Sequence, residues 1–193
     1  HGCLDMLDMV DSLMDINRME AGQSVVEVEA MRLPPLVDRV VQRVAPLAQQ
    51  RGISLSFDPP PPDLPAIWAD EELVRRVLIN LLDNALKFTP AGGQVNGRLQ
   101  TEIDPANAAE PGVRCLISDT GPGIPPGFHE RVFDRFTRTN QDGAPVRGTG
   151  LGLTFCKLAI EAQNGRIWAE DAPGGGSQFI FTLPGIPHFA LKS

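Results

Sequence analysis

A long stretch rich in glycine, proline and polar residues, at positions 121–150, interrupts the regular patterns of this chain. The apolar run before it, at 113–117, is typical of a buried strand, and the segment after it, at 151–164, is typical of a helix. Compact domains seldom contain such long loops unless the loop is functional or disordered. The sequence therefore predicts a lid or a disordered connection between a strand and a helix.

Helical and strand patterns alternate along the rest of the chain. Residues 4–20 carry an apolar stripe with aspartates between its members, which predicts an amphipathic helix that packs in a core or against a partner helix. Helices are also predicted at 34–50 and, behind the N-cap Asp70, at 71–88. Strands are predicted at 25–29, 53–57, 67–68, 94–102, 113–118, 166–170 and 177–183, with a helical interlude at 129–137. The prolines at 59–62 predict a hairpin loop between the second and third strands.

Composition excludes several kinds of protein. With 193 residues and 42% apolar residues the chain can bury a core, and its three cysteines form no CxxC pair, which favours a reducing cytoplasm. The net charge of −7 argues against nucleic acid as a partner. No apolar stretch approaches the roughly 20 residues needed to cross a bilayer. Because the chain begins at His1 within a helical pattern, it is expected to be a piece of a longer protein.

Three polar side chains share one edge of the helix predicted at 71–88. At 100° per residue, Asn80, Asn84 and Lys87 fall within an arc of about 60°. Asparagine oxygens can complete the shell of Mg²⁺ and a lysine ammonium can neutralise phosphate, so this edge could hold a metal-bound polyphosphate. A solvated helix face gives the same pattern.

Asp119 opens a glycine-rich turn, Gly121-Pro122-Gly123-Ile124 after Thr120, at the end of a predicted strand. A carboxylate there can accept a hydrogen bond from an exocyclic amine, and the glycines allow the backbone to approach a planar base. An Asx-type turn is the alternative. The DTG triplet does not predict an aspartic protease, since the second motif that would supply the other carboxylate is missing.

The segment Gly148-Thr149-Gly150-Leu151-Gly152 opens the next predicted helix, whose free backbone N–H groups form an anion site. The glycines of the segment from Gly143 to Thr149 have the spacing of a Walker loop, but Thr149 stands where the phosphate-binding lysine must be, so it is not that loop. The helix-opening segment is not a dinucleotide fingerprint either, because Leu153 occupies the third glycine position.

Together these segments resemble the ATP-binding domain of sensor histidine kinases. That family has four sequence motifs, and each has a counterpart here. The asparagine box corresponds to NLLDNALKF at 80–88, and the first glycine box corresponds to DTGPGI at 119–124. The phenylalanine box corresponds to FDRF at 133–136, and the second glycine box corresponds to GTGLGL at 148–153. Four ordered motifs are stronger evidence than any single glycine pattern, and the resemblance covers roughly residues 25 to 185.

The resemblance implies an α/β fold, a two-layer sandwich in which helices cover one face of a mixed sheet, preceded by an amphipathic helix. Residues 1–22 resemble the end of the second helix of a dimerisation hairpin. Residues 23–186 resemble the catalytic domain, with a lid at about 125–147, and residues 187–193 form a tail.

The resemblance also implies roles for the site residues. Asp119 binds the adenine amine, Asn84 with Asn80 holds Mg²⁺, and Lys87 contacts phosphate. The implied nucleotide contacts are Asn80, Asn84, Lys87, Asp119, Gly121, Gly123, Ile124, Gly148, Thr149, Gly150, Leu151 and Gly152, of which Asn80, Asn84 and Lys87 are the catalytic residues. Phe133 and Phe136 are expected to anchor the lid. Arg131, Arg135, Arg138 and Arg147 could add positive charge near the phosphates, although most of them are expected to be solvated at the surface.

The implied reaction is transfer of the γ-phosphoryl group of ATP to a histidine nitrogen, assisted by positioning and charge neutralisation. Asn80 stands where related ATPases carry a glutamate base, which disfavours ATP hydrolysis. Implied partners are ATP, the histidine-bearing dimerisation helix of a homodimeric parent kinase, and a response-regulator receiver domain. His1, His129 and His188 do not match the acceptor pattern, so the chain is expected to bind ATP without phosphorylating itself.

Two other functions would use the same pocket. One is a degenerate nucleotide-binding interaction module, against which the complete set of asparagine and glycine boxes argues. The other is a serine kinase of the anti-sigma-factor type, against which the hairpin-like helix at 4–20 argues.

Overall fold

The computed structural model describes residues 10, 13–23, 25–103, 110–137 and 149–186. Four helices are present in this part of the chain: α1 at 13–20, α2 (Leu33–Gln50), α3 (Glu71–Phe88) and α4 (Gly152–Glu161). The strands are β1 (Glu29–Met31), β2 (Ser54–Phe57), β3 (Ile67–Ala69), β4 (Gln94–Glu102), β5 (Gly112–Asp119), β6 (Arg166–Asp171) and β7 (Ser177–Leu183). A single 3₁₀ turn lies at Arg131–Phe133.

Five strands form a mixed sheet in the order β2-β4-β5-β7-β6. Strands β2 and β4 run parallel, and the other neighbours are antiparallel. Strand β5 is central, and its last residue, Asp119, lies opposite Val95 of β4. Strands β1 and β3 form a separate antiparallel pair. The sheet therefore places Asp119 at the end of its central strand, which has a neighbour on each side.

The helices cover one face of this sheet. Along β5 the side chains of Val113, Cys115 and Ile117 are buried, whereas the alternate residues Arg114 and Leu116 are partly exposed on the other face. The inner side of α3 packs on the same core. The predicted two-layer α/β sandwich with a mixed sheet is thus confirmed.

Most predicted elements occur where the patterns place them, and the N-cap of α3 is confirmed, since Leu73 N donates to Asp70 Oδ1 at 3.1 Å. The predicted hairpin of the second and third strands is wrong. Strand β2 instead pairs in parallel with β4, and β3 pairs with β1. Strand pairing of this kind depends on contacts between distant segments, which local patterns do not contain.

Two smaller predictions also need correction. The strand expected at 25–29 lies at Glu29–Met31, because Met31 is buried while Val25 is 82% exposed. The helical interlude expected at 129–137 is reduced to the 3₁₀ turn.

Helix α1 packs on the domain through one face only. Ile16 is completely buried, and Leu13 and Met19 pack partly against the core. Val10 and Met14 are about half exposed, on the other side. The helix therefore contributes to the core and also leaves an apolar side uncovered. Within the described residues, no helix has the length and apolar character needed to cross a membrane.

Candidate nucleotide-binding site

Asp119 is a buried carboxylate at the end of β5, with 3% of its surface exposed. Its Oδ1 accepts hydrogen bonds from Gly121 N at 2.8 Å and from Ser177 N at 3.4 Å. Burial raises the pKa of Asp119 above 3.8, and these hydrogen bonds oppose that rise. The bond from Gly121 forms the Asx-type turn that was the alternative interpretation, so the turn and a candidate base-binding carboxylate occur together.

Glycines surround Asp119 because other residues would collide with it. A Cβ on Gly176 would lie 1.9 Å from the Asp119 carbonyl oxygen, and one on Gly121 would lie 2.7 Å from Oδ1. Gly123 adopts a φ of +80°, which favours glycine. Gly176 and Ser177 were missed at the level of sequence, although the run Gly174-Gly175-Gly176 is a signal of a close backbone approach.

The asparagine edge of α3 faces the beginning of α4. Asn80, Asn84 and Lys87 are all half-buried, so the edge is not simply a solvated helix face. A Cβ on Gly152 would lie 3.1 Å from Asn80 Oδ1, which shows how closely the two helices approach. The Lys87 ammonium lies 4.7 Å from the centroid of the Phe88 ring. The fold thus brings the asparagine box next to the second glycine box.

The turn before α4 presents the helix N-terminus to this edge. Helix α4 has no side-chain cap, so its first N–H groups suit an anion. Leu151 N donates to Thr149 Oγ1 at 3.3 Å, and Leu151 itself is buried. Gly150 has a φ of +71°, and its carbonyl accepts from Phe136 N at 3.0 Å. Gly148 lies outside the described residues.

The two phenylalanines of the FDRF segment differ in environment. Phe133 is buried, and its ring meets that of Phe179 edge to face, with centroids 6.3 Å apart. Phe136 is 53% exposed and has a φ of +60°, which is unusual for an aromatic residue. Of the two side chains expected to anchor the lid, only that of Phe133 is buried against the body of the domain. Phe136 contacts the turn before α4 through its backbone N–H.

Several predictions concern charged residues of the lid. Arg135 is not merely solvated, because it forms an ion pair with Glu20 of α1. His129 Nε2 lies 3.0 Å from Asp171 Oδ1, in the described part of the lid. Arg138, Arg147, His1 and His188 lie outside the described residues. Among the residues that are described, no group of three or more His, Cys, Asp or Glu side chains could hold a metal ion. A divalent ion in this site would depend on amide and phosphate oxygens.

A family profile and several known proteins match the chain. Residues 69–186 match the profile described as histidine kinase-, DNA gyrase B-, and HSP90-like ATPase. The chain is 35% identical to the adaptive-response sensory kinase SasA of Synechococcus sp. (strain JA-2-3B'a(2-13)), over 93% of this chain and 45% of that protein. It is 36% identical to the sensor histidine kinase TmoS of Ectopseudomonas mendocina, over 94% of this chain and 18% of TmoS. The chain thus spans less than half the length of these relatives.

Solved structures agree with the sequence matches. Full-length ShkA in complex with AMPPNP superposes with a TM-score of 0.78 at 28% identity, covering 94% of this chain and 36% of ShkA. The catalytic domain of the histidine kinase ThkA superposes with a TM-score of 0.68 at 29% identity, covering 83% of this chain and 99% of that domain. The fold is therefore shared with histidine kinase catalytic domains.

Proposed function

The chain belongs to the family of histidine kinase-, DNA gyrase B- and HSP90-like ATPases, and we propose that it transfers the γ-phosphoryl group of ATP to a histidine side chain. It is an ATP-binding catalytic domain of the kind found in sensor histidine kinases. The observation that supports the proposal is the close approach of Asn80 to Gly152. It places the helix edge that we propose for Mg²⁺ beside the helix N-terminus that we propose for phosphate.

The base end of the site is formed by Asp119. Its ionised carboxylate would accept a hydrogen bond from the exocyclic amine of adenine, because the lone pairs not used by Gly121 and Ser177 remain available. Gly121, Gly123 and the half-buried Ile124 would lie along the base. A guanine would present a carbonyl at this position, so the site would favour adenine.

The phosphate end is formed by α3 and α4. Asn80 and Asn84 would hold Mg²⁺ through their amide oxygens, and Lys87 would contact a phosphate oxygen. When bound, Mg²⁺ neutralises charge on the phosphates. The backbone N–H groups from Gly148, Thr149, Gly150, Leu151 and Gly152 would surround the phosphates at the start of α4.

The chain's own residues position the reactants and do not act as a base. Asn80, in place of an acid, cannot deprotonate water, so the site favours an incoming nitrogen nucleophile over hydrolysis. The acceptor would be a histidine on the dimerisation helix of a homodimeric parent kinase, beside which α1 would pack. The phosphoryl group would pass on to a response-regulator receiver domain. Cys115 and Cys156 are buried free thiols, in keeping with a cytoplasmic location.

Two measurements test the proposal. Calorimetric titration with a non-hydrolysable ATP analogue, with and without Mg²⁺, should show binding that Asp119→Asn and Asn84→Ala weaken. In the full-length protein, label from γ-labelled ATP should form an acid-labile, base-stable phosphohistidine. Acid-stable label would instead indicate a serine kinase, and a folded wild type that binds no nucleotide would overturn the ATP site itself.

A further inference from the structure

Helix α1 is tied to the rigid side of the site by an ion pair. Asp15 Oδ2 lies 2.7 Å from Arg76 Nη2, and the Arg76 guanidinium stacks 4.1 Å above the ring of Phe155 in α4. Arg76 stands one helical turn before Asn80 on α3. This contact joins α1 to both helices that form the phosphate end of the site.

The same helix is tied to the beginning of the lid. Arg135 Nε donates to Glu20 Oε1 at 3.1 Å, and Arg135 Nη2 donates to Asn17 Oδ1 at 3.2 Å. Arg135 lies in residues 131–137, here named the lid stem. Its neighbour Phe136 donates its N–H to Gly150 O, in the turn before α4. Glu20 and Asn17 of α1 therefore hold the lid stem at Arg135. The next residue, Phe136, contacts the phosphate end of the site.

Between these two attachments, Ile16 is fully buried. Asp15 and Glu20 are separated by five positions, so they lie about 7.5 Å apart along the helix axis. Packing at Ile16 and charge pairing on both sides fix the rotation and the position of α1. A shift of α1 would consequently move Arg135 relative to Arg76.

We propose that Arg135 and Glu20 are a positioning pair that holds the lid stem for binding of the nucleotide phosphates, so that docking of α1 and phosphate affinity are coupled. This inference rests on the proposed nucleotide site. Coupling of this kind is reciprocal, so bound nucleotide strengthens the docking of α1 by the same factor as docking strengthens nucleotide binding. Neither residue is among the proposed nucleotide contacts.

The size of the effect follows from the exposure of the pair. Arg135 and Glu20 are 32% and 46% exposed, so loss of the ion pair alone has a modest effect. Reversing one charge replaces attraction between residues 20 and 135 by repulsion, and it also disturbs the hydrogen bond between Arg135 and Asn17. We expect Glu20→Arg or Arg135→Glu to weaken binding of a non-hydrolysable ATP analogue by about fivefold.

The test compares these single variants with the double exchange Glu20→Arg/Arg135→Glu. A matched control is the exposed ion pair of Asp58 and Arg98, in which Asp58 also accepts a hydrogen bond from the asparagine Asn96. This pair lies on the sheet face opposite the helices. Affinity is measured by calorimetry for the ATP analogue with Mg²⁺ and by NMR titration for adenosine, which lacks phosphates. Hydrogen exchange at the Phe136 amide reports the lid stem without any ligand.

The single reversals should lower affinity for the analogue and speed exchange at Phe136, while affinity for adenosine stays within twofold. The double exchange should restore analogue affinity and slow exchange at Phe136 again. Reversals of the control pair should change none of them. Unchanged analogue affinity in both single variants, or an equal loss for adenosine, would overturn the inference. If the wild type binds no nucleotide, the proposed function fails, and exchange at Phe136 alone decides whether the pair holds the stem.

Discussion

Asn80 of α3 and Gly152 of α4 are in such close contact that a Cβ on Gly152 would lie 3.1 Å from Asn80 Oδ1. The contact brings together the Asn80 amide oxygen, which can coordinate a metal ion, and the backbone at the start of α4, whose N–H groups can donate to phosphate. A larger residue at position 152 would therefore push the Asn80 side chain away by a few tenths of an ångström. The backbone of Gly152 does not have a positive φ, so this contact is the reason that glycine suits the position.

Gly152→Ala should weaken Mg²⁺-dependent nucleotide binding by about tenfold, because the added methyl group displaces the Asn80 side chain. The free energy of unfolding should change by less than about 1 kcal/mol, since alanine suits a helix better than glycine does. Calorimetric titration and thermal unfolding measure the two effects. In an Asn80→Ala background the substitution should have no further effect on binding, and additive losses would contradict the contact.

Asp119→Asn should weaken nucleotide binding by about tenfold to a hundredfold, because an amide is a poorer acceptor than a carboxylate. The variant should be at least as stable as the wild type at neutral pH. It removes a buried charge, and an amide oxygen still accepts from Gly121 and Ser177. Asp63→Asn, an exposed change of the same charge, is the control and should alter neither property.

The free energies of unfolding of the wild type and of the Asp119→Asn variant should also depend differently on pH. The pKa of Asp119 is raised in the folded state, so the folded wild type binds a proton more readily than the unfolded chain. The gain in unfolding free energy from Asp119→Asn should therefore be largest above that pKa and shrink as the pH falls through it. Urea unfolding at a series of pH values measures the difference. A gain that grows on acidification would show that the carboxylate is stabilised by its surroundings.

Gly176→Ala and Gly175→Ala form a matched pair in the turn between β6 and β7. Both glycines have positive φ, +95° and +102°, but a Cβ on Gly176 would lie 1.9 Å from Asp119 O, whereas nothing lies within 4 Å of one on Gly175. Gly175→Ala should cost about 1 kcal/mol of stability through its backbone conformation. Gly176→Ala should cost about 3 kcal/mol or more and weaken nucleotide binding. Equal losses in denaturant unfolding would mean that the turn moves freely away from Asp119.

Phe133→Ala and Phe136→Ala separate the two roles of the FDRF segment. Phe133→Ala removes a buried ring beside Phe179 and should lower the free energy of unfolding by about 3 kcal/mol. Phe136→Ala should change it by less than about 1 kcal/mol, because the exposed side chain has little packing to lose. Denaturant unfolding of both variants checks this difference. A large loss in Phe136→Ala would assign its side chain a contact that its exposure does not show.

Local signals were sufficient to predict some parts of this molecule. Helix α3, its N-cap Asp70 and the edge formed by Asn80, Asn84 and Lys87 all follow from spacing within one segment. The turn after Asp119 could also be predicted from one segment, because its hydrogen bond joins Asp119 to Gly121. The assignment of adenine, Mg²⁺ and phosphate to these residues came from the family resemblance and remains a proposal.

Contacts between distant segments could not be predicted in this way. The partner of β2 is β4, across the whole of α3, and neither segment encodes that choice. Ser177 N approaches Asp119 from 58 positions away. The unusual backbone of Phe136 occurs together with its hydrogen bond to Gly150, which lies in a distant segment, and the ion pair of Arg135 requires the docked position of α1.

The hydrogen bond from Ser177 to Asp119 has a consequence for the order of events during translation. At roughly 5 to 20 residues per second, Ser177 is synthesised several seconds after Asp119. In the later part of that interval, once residue 153 has been made, both glycine boxes and the asparagine box exist, but β5 lacks its partner β7 and the carboxylate lacks one of its two backbone donors. A nascent chain on the ribosome would therefore carry every recognisable motif while still unable to hold a nucleotide, and ligand binding would begin only when the last strand emerges.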